Sequence, residues 1–304
     1  MEYAICTNNL TKVYSGRAVV DNVNLHIPEG SIYGFVGENG SGKTTIMRLL
    51  MGLASPTKGE YSLFDTNFKD KNIYAVRSNI SAIVEAPSLV PSMTAYQNLK
   101  FACLYYGIDE SEEAIKEALQ SVSLTDTGKK KVKDFSLGMR QRLGIALLLL
   151  NKPTLMLLDE PMNGLDPTGV AELRDLIISL NRKGITFLIS SHILSELEKV
   201  STHWGFISHG KLLKEISAED LYAECANSID VTYHDLDKLE AALIKVGIKK
   251  YKRFPTEIKV FDGILPINLL KNLEKEGIEI TRIKTNDISV EDYYLSLIGG
   301  GSNV

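Results

Sequence analysis

The sequence predicts an α/β protein: a core built on a parallel sheet over residues 1–220, an all-helical insert at about residues 88–150, and a small C-terminal α+β domain over residues 227–304. Two observations predict the core. Short apolar runs of strand length alternate with helix-like segments, and a glycine-rich segment separates one such run from the helix after it. A third observation predicts the second domain, because the pattern changes from about residue 227 and no nucleotide or metal motif follows.

The core strands are predicted where apolar runs are bounded by turn residues. Leu155–Leu158 and Ile185–Ile189 are nearly continuous in apolar residues, as expected of strands covered on both faces. Ile32–Val36 has the same character and precedes the glycine-rich segment. The remaining predicted strands of the core are Ala4–Cys6 and Val19–Ile27.

The helices are predicted from amphipathic periodicity and from residues that cap helices. Ser111 is a suitable N-cap after a break at residues 107–109, and Pro167 and Gly184 suit the first turn and the end of a later helix. The predicted helices are Thr94–Ser123 with that break, about Gly138–Asn151, the helix between Pro167 and Gly184, and Ile193–Val200.

The C-terminal part alternates strands and helices over few residues, which suggests a small α+β domain of the split βαβ type. Its predicted strands are Ile229–Tyr233, Ile258–Phe261 and Ile278–Ile283, and its predicted helices are Leu236–Val246 and Ile267–Glu276.

Composition excludes several classes of protein. The net charge of −4 gives no indication of a nucleic-acid surface. Cys6, Cys103 and Cys225 match no metal spacing and are expected to be small buried residues of a protein in a reducing compartment. The most apolar stretch, Ile145–Leu150, is too short to cross a bilayer, and no signal peptide is expected at Met1. Any membrane association is therefore expected to come through a partner.

Residues 37–44, Gly-Glu-Asn-Gly-Ser-Gly-Lys-Thr, match the spacing of a phosphate-binding loop. Glycines let backbone N–H groups converge on phosphate oxygens, Lys43 brings a positive charge, and Thr44 offers a hydroxyl to Mg²⁺. A strand precedes the loop and a helix follows it, which disfavours the alternative of a glycine-rich turn that binds nothing. The predicted nucleotide-binding residues are Asn39, Gly40, Ser41, Gly42, Lys43, Thr44 and Thr45.

Polar side chains follow two of the buried strands. Asp159 is predicted to hold Mg²⁺, directly or through water, and Glu160 to polarise the attacking water in phosphoryl transfer. An acidic helix cap is the alternative for this pair. His192 is predicted to reach the crevice at the carboxyl ends of the strands and to bind the γ-phosphate, whereas a structural histidine is the alternative.

The segment Phe135–Arg142, Phe-Ser-Leu-Gly-Met-Arg-Gln-Arg, opens a helix and resembles the signature sequence of ABC-transporter ATPases. The phosphate loop, the carboxylates after Leu158, the segment Gly164–Pro167 and His192 stand in the family's order around it, so the resemblance covers roughly the first 220 residues. It implies a P-loop NTPase fold that binds and hydrolyses ATP.

The resemblance also implies a head-to-tail dimer in which two ATP molecules lie between the subunits. Ser136 and Gly138 would contact the γ-phosphate in trans, and Asp166 would help to join the two sites. Tyr14 stands where the family stacks an aromatic ring on adenine, with an edge-strand tyrosine as the alternative. A homodimer is expected because one chain carries every element.

Two departures from the family pattern narrow the resemblance. Leu137 and Met139 stand where the signature usually has Gly and Gln, and Glu85 stands where a Gln usually ligates Mg²⁺. A carboxylate can still ligate the metal, although it adds negative charge, and neutral drift is the alternative. With the C-terminal domain, these features resemble the ATPases of bacitracin-resistance and lantibiotic-immunity transporters, which implies expulsion of a peptide antibiotic.

The resemblance further implies partners and a location. Membrane-spanning permease subunits would be separate chains, and residues Ala86–Met93 would help to form a groove for one of their helices, with ordinary packing as the alternative. The chain would be cytoplasmic and peripheral on the inner face of the membrane, with no nucleic-acid partner. Other functions stay open: transport of a lipid, an ion or another drug, a soluble ABC ATPase in translation or DNA repair, or a regulator whose C-terminal domain binds a small ligand.

Overall fold

The computed structural model describes residues 2–108, 111–225, 228–260, 264, 266–286 and 289–299. The chain divides into two compact units, Met1–Ala218 and Glu219–Val304. Asn227, the first residue of the predicted C-terminal domain, lies outside the described residues. Within the described part of the chain, no helix combines the length and the apolar character needed to cross a membrane.

The secondary structure of the first unit alternates strands and helices. Its strands are β1 (Tyr3–Tyr14), β2 (Arg17–Val23), β3 (His26–Pro28), β4 (Ile32–Val36), β5 (Lys58–Leu63), β6 (Thr66–Asn67), β7 (Ile80–Ile83), β8 (Leu155–Asp159), β9 (Thr186–Ser191), β10 (His203–Ser208) and β11 (Lys211–Ser217). Its helices are α1 (Lys43–Leu50), α2 (Ile73–Arg77), α3 (Ala95–Tyr106), α4 (Glu112–Ser121), α5 (Leu137–Leu149), α6 (Pro167–Asn181) and α7 (Leu194–Leu197), and α8 (Ala218–Cys225) begins at the unit's last residue.

A sheet of mainly parallel strands forms the centre of the first unit. Its strands lie in the order β11–β10–β4–β9–β8–β7, and all neighbours are parallel except β10 and β11. Every residue of β4, β8 and β9 is buried, which explains why these strands are rich in apolar residues. The predicted parallel core is confirmed, and the carboxyl ends of β4, β9 and β8 lie side by side.

The sequence does not predict a second, antiparallel sheet, in which the strand order is β2–β1–β5–β6 and β3 also pairs with β1. The single strand predicted over Val19–Ile27 is wrong, because the chain breaks between β2 and β3. At the break, Thr7 Oγ1 donates to the Val23 oxygen and accepts from the Leu25 N–H, both at 2.8 Å, while the Thr7 N–H donates to the Leu25 oxygen at 2.9 Å. The predicted strand Ala4–Cys6 is only the start of β1.

Glu215 on β11 links the two sheets. Its Oε1 accepts from the His26 backbone N–H at 2.8 Å and from the Tyr33 hydroxyl at 2.7 Å, and its Oε2 lies 2.9 Å from His26 Nδ1. Burial, and then the adjacent Glu215 carboxylate, raises the pKa of Tyr33 well above its usual range. Tyr33 therefore keeps its proton, and its role as a donor, at physiological pH.

The insert is helical, as predicted, and side chains cap its helices. Thr94 Oγ1 accepts from the Gln97 N–H at 3.2 Å before α3, and Gln97 Oε1 accepts from the Thr94 N–H at 3.0 Å. Ser111 Oγ accepts from the Ala114 N–H at 3.2 Å and caps α4, as predicted. Asp109, in the predicted break between these helices, lies outside the described residues.

The second unit is a split βαβ arrangement, in which helices pack on one antiparallel sheet. The sheet order is β13–β14–β12–β15, and every pair is antiparallel. After α8 its elements are β12 (Ser228–Thr232), α9 (Leu236–Lys245), β13 (Tyr251–Arg253), β14 (Ile258–Val260), α10 (Pro266–Lys275), β15 (Arg282–Asn286) and α11 (Val290–Gly299).

The sequence places the last strand of the second unit too early. The strand predicted over Ile278–Ile283 is wrong in its first part, because Gly277 leaves α10 with a φ of 72°. The Ile278 N–H then donates to the Leu273 oxygen at 3.0 Å, and Ile278 closes the helix and enters the core. Strand β13 and helix α11 are not predicted, and Phe261, the end of another predicted strand, lies outside the described residues.

The substitution Leu157→Ala on β8 should lower the free energy of unfolding of the first unit by about 2–5 kcal/mol, because a fully buried side chain leaves a cavity. Trp204, the chain's single tryptophan, is buried in this unit, and its fluorescence during urea unfolding measures the change. The control Leu53→Ala truncates a leucine that is 71% exposed and should cost less than about 0.5 kcal/mol. Equal losses from both substitutions would contradict the burial argument.

Candidate active site

The phosphate loop joins β4 to α1, and sterics require its glycines. Gly40 and Gly42 have φ angles of 82° and 110°, which other residues rarely adopt. A Cβ on Gly37 would lie 2.5 Å from the Ile207 backbone oxygen, and a Cβ on Gly42 would lie 2.7 Å from the Val19 oxygen. The loop is therefore packed so closely that side chains are excluded at these positions.

Two polar side chains of the loop are buried. The Lys43 side chain is 5% exposed, and its Nζ donates to two loop carbonyl oxygens at 2.6 and 3.2 Å. Ser41 Oγ is buried and has no hydrogen-bond partner among the residues that the structure describes. Asn39 is exposed, whereas Thr45 is half-buried in the first turn of α1. The loop thus holds a buried positive charge and a buried hydroxyl that lacks an acceptor.

Asp159 receives hydrogen bonds from two elements of the core. Thr44 Oγ1 on α1 donates to Asp159 Oδ2 at 2.7 Å, and Ser190 Oγ on β9 donates to Asp159 Oδ1 at 2.5 Å. Asp159 and Ser190 stand opposite each other in the parallel register of β8 and β9. These bonds satisfy a carboxylate that is 4% exposed.

The sequence interpretation misses Ser190. Besides its bond to Asp159, Ser190 Oγ accepts from the Glu160 N–H at 2.9 Å, so one hydroxyl orients both acidic residues. The available signal is that two serines, Ser190 and Ser191, end a strand that is otherwise nearly all apolar. Polar residues at the carboxyl end of a buried parallel strand point to a site.

Glu160 lies between two basic side chains. Its Oε2 lies 2.7 Å from His192 Nδ1, and its Oε1 lies 3.5 Å from Lys43 Nζ. Because a carboxylate only accepts, Nδ1 is the donor in the first contact. Glu160 also has a φ of 49°, an uncommon conformation for a residue with a side chain. The structure therefore brings together three residues that the sequence predicts for the site.

Tyr14 ends β1, and its ring is free enough to stack on a base. Its side chain is 44% exposed, and Lys12 Nζ lies 4.8 Å from the ring centroid. Tyr14 pairs with Arg17 across the β1–β2 hairpin, and β2 contacts the phosphate loop where Val19 approaches Gly42. The hairpin thus connects Tyr14 to the loop, and adenine stacking stays a prediction.

Ser136 and Asp166 cap two neighbouring helices. Ser136 Oγ accepts from the Met139 N–H at 3.2 Å at the start of α5, and Asp166 Oδ1 accepts from the Gly169 N–H at 2.8 Å at the start of α6. Gly138 faces the second helix, since a Cβ on it would lie 3.7 Å from Gly169 Cα. Helix α5 begins one residue before its predicted start. Contacts of these residues across a dimer stay predictions.

Glu85 pairs with a residue that the sequence interpretation does not single out. Its carboxylate forms an ion pair with Arg48 of α1, and the Glu85 side chain is 67% exposed. Glu85 lies in the segment that follows β7. Metal ligation by Glu85 stays a prediction.

The site is suited to a triphosphate with a hard cation. Ser41 Oγ and Glu160 Oε1 are both buried without hydrogen-bond partners among the described residues, so a phosphate oxygen and a water would each supply a missing partner. No group of three or more His, Cys, Asp or Glu side chains in the described residues forms a metal cluster. Mg²⁺ needs no such cluster, because it binds through one or two carboxylates, waters and substrate phosphates.

Comparison with known proteins places the chain in a family. Residues 20–163 match the ABC transporter family. The bacitracin transport ATP-binding protein of Enterococcus faecalis is 38% identical over 310 residues, which cover 99% of this chain and 98% of that protein. The lantibiotic transport ATP-binding protein of Streptococcus pyogenes is 44% identical over 207 residues, or 68% of this chain and 88% of that protein.

A solved structure has the same fold. A dimeric, post-hydrolysis ATP-binding cassette with bound ADP and Pi is 26% identical, with a TM-score of 0.62, and the match covers 70% of this chain and 98% of that one. The fold and the site therefore define an ATP-binding cassette ATPase. The chain belongs to the family of ABC transporter ATP-binding proteins, so it binds and hydrolyses ATP as a subunit of a transporter.

The substitution Ser190→Ala should lower kcat for ATP hydrolysis about tenfold and change KM by less than about twofold, because it removes a hydrogen bond to a charged carboxylate and leaves the phosphate loop intact. Steady-state ATPase assays measure both constants. The control is Ser191→Ala, since Ser191 Oγ forms its hydrogen bonds within the described structure with the backbone of Ile193 and not with Asp159 or Glu160. A rise in KM with unchanged kcat would contradict this role of Ser190.

Proposed function

We propose that this chain is the ATP-hydrolysing motor of a transporter that expels a peptide antibiotic. It acts as a homodimer on the cytoplasmic face of the membrane, attached to separate membrane-spanning permease chains. The observation that carries the hydrolytic mechanism is the placement of Glu160 between His192 and Lys43, next to the Thr44–Asp159 pair. The similarity over nearly the whole chain to a bacitracin transport protein supports the cargo.

The phosphate loop holds the triphosphate. Lys43 exchanges its loop carbonyl partners for phosphate oxygens, and Ser41 Oγ donates to a phosphate oxygen. The positive end of α1 adds to the attraction. The remaining predicted loop residues, Asn39, Gly40, Gly42 and Thr45, contribute backbone N–H groups.

Thr44 and Asp159 are the residues that would hold the metal, and Glu85 would be a further ligand. The cation they would hold, Mg²⁺, would supply positive charge against the negative charge that develops during phosphoryl transfer. A threonine hydroxyl and carboxylate oxygens suit this cation, which prefers oxygen ligands. Thr44 and Asp159 already lie 2.7 Å apart through one hydrogen bond, so they need little rearrangement to share a ligand.

Glu160 orients the attacking water. Its Oε1 accepts a hydrogen bond from that water, while His192 Nδ1 holds Oε2 and so fixes the carboxylate. Ser190 holds the Glu160 backbone N–H from the other side. His192 also supports the γ-phosphate, which places one ring next to both the base and the transferred group.

A second subunit completes each site. Ser136 and Gly138 at the start of α5 bind the γ-phosphate of the partner's ATP, and a helix N-terminus favours such an anion. Asp166 joins the two sites, and Tyr14 stacks on adenine, a contact worth on the order of 1 kcal/mol. Hydrolysis removes the anion that both subunits bind, and the dimer loosens.

The substitution Glu160→Gln should trap an ATP-bound dimer and lower ATP turnover about 100-fold or more, because an amide cannot take the proton of the attacking water. Light scattering with Mg-ATP measures the dimer, and phosphate release measures turnover. The control Glu113→Gln changes an exposed glutamate of α4 and should behave as the unchanged chain. Normal turnover in Glu160→Gln would remove Glu160 from its proposed role.

Expression of the chain with its permease in a sensitive bacterium should raise the inhibitory concentration of bacitracin or of a lantibiotic. The gain should disappear with Glu160→Gln, because expulsion needs hydrolysis. The comparison cargos are non-peptide drugs, lipids and ions. Protection against one of these, without protection against peptide antibiotics, would contradict the proposed cargo. Recovery of the chain with ribosomes or DNA, instead of with integral membrane proteins, would argue against a transporter motor.

A further inference from the structure

We propose that Arg48 is a positioning residue for ATP binding: it holds the Glu85 carboxylate beside the metal-binding pair and balances its negative charge. When ATP binds without a cation, Glu85 stays paired with Arg48. When a cation is present, Glu85 leaves Arg48 and binds the cation. This inference rests on the proposed function of the site.

The register of the sheet places Glu85 near the catalytic carboxylates. Strand β7 runs parallel to β8, with Ile83 opposite Leu158. Glu85 lies two residues after Ile83, and Glu160 lies two residues after Leu158 on the neighbouring strand. Both carboxylates consequently leave the sheet at the same edge.

Helix α1 places Arg48 one turn away from the same edge. Arg48 follows Thr44 by four residues, and residues at this spacing lie on one face of a helix. Thr44 donates to Asp159, so the Arg48–Glu85 ion pair lies about one helical turn from the pair that would hold the metal. Two elements that are independent in sequence thus deliver opposite charges to one place.

A strained turn holds Glu85. Its φ is 71°, and the Ala86 N–H donates to the Val84 oxygen at 3.0 Å, which defines a γ-turn with positive φ at its centre. Such a conformation persists only when its surroundings enforce it. After the turn, Pro87 packs against α5, since a Cβ on Gly144 of that helix would lie 2.5 Å from Pro87 Cβ. Arg48 contacts the turn through its ion pair with Glu85.

Electrostatics gives the pair its function. A free carboxylate at this position would repel the phosphates of ATP, whereas a carboxylate bound to a guanidinium carries little net charge. The Arg48 and Glu85 side chains are 44% and 67% exposed, and pairs so exposed are weakly held. The pair can therefore open when a cation offers Glu85 a stronger partner.

A double-mutant cycle on Arg48 and Glu85 tests the proposal through ATP affinity rather than ATPase activity. In EDTA at low ionic strength, Arg48→Met should raise the Kd for ATP about three- to fivefold, because it leaves Glu85 unpaired. In the Glu85→Gln background the same substitution should change Kd by less than about 1.5-fold. Arg48→Lys should restore most of the affinity, and excess Mg²⁺ should reduce the defect of Arg48→Met.

Calorimetric titration measures Kd, and Trp204 fluorescence confirms that each variant is folded. The control Lys116→Met breaks an exposed ion pair with Glu112 in α4, 3.3 Å long, and should leave Kd unchanged. Equal effects of Arg48→Met in both backgrounds, or no effect in either, would overturn the pairing and leave ATP binding intact. Failure of the unchanged chain to bind ATP would instead overturn the proposed function itself.

Discussion

The parallel register of β4, β9 and β8 is the constraint on which the active site depends. Val36 stands opposite Ser191, and Asp159 stands opposite Ser190, so the carboxyl ends of the three strands meet at one edge. The phosphate loop leaves the first strand there, and the two acidic residues leave the third. A shift of one residue in the β8–β9 pairing would move Asp159 away from Ser190, and a shift in the β4–β9 pairing would move Thr44 away from Asp159.

Burial at this edge requires the charged groups to have polar partners. Lys43 and Asp159 are 5% and 4% exposed, and charges so deeply buried need partners. In the structure they use loop carbonyls, a threonine hydroxyl and a serine hydroxyl. Ser41 Oγ and Glu160 Oε1 are among the buried atoms that have no hydrogen-bond partner in the described residues, and the proposed chemistry would give each of them one. The same contacts therefore stabilise the fold and prepare the site.

Local pattern predicts the buried strands of the core well, because β4, β8 and β9 are rich in apolar residues and are followed by turns or polar residues. It fails for the antiparallel sheet. Strands such as β1 and β2 mix buried and exposed positions, and the strand predicted over Val19–Ile27 is interrupted where Thr7 Oγ1 bonds the backbone of Val23 and Leu25. In the second unit, the residues predicted as a strand from Ile278 begin with the end of a helix, because Gly277 has a positive φ.

The sequence by itself determined the chemistry available to this protein: the spacing of the phosphate loop, the acidic pair Asp159 and Glu160, and the signature segment that indicates the family. Only the tertiary structure decided which partners meet, such as Ser190 with Asp159 and Arg48 with Glu85. The physical reason is that a motif spans only a few residues, so local backbone geometry determines how its residues are arranged. Contacts between distant residues depend on strand register and packing, which arise from the whole chain.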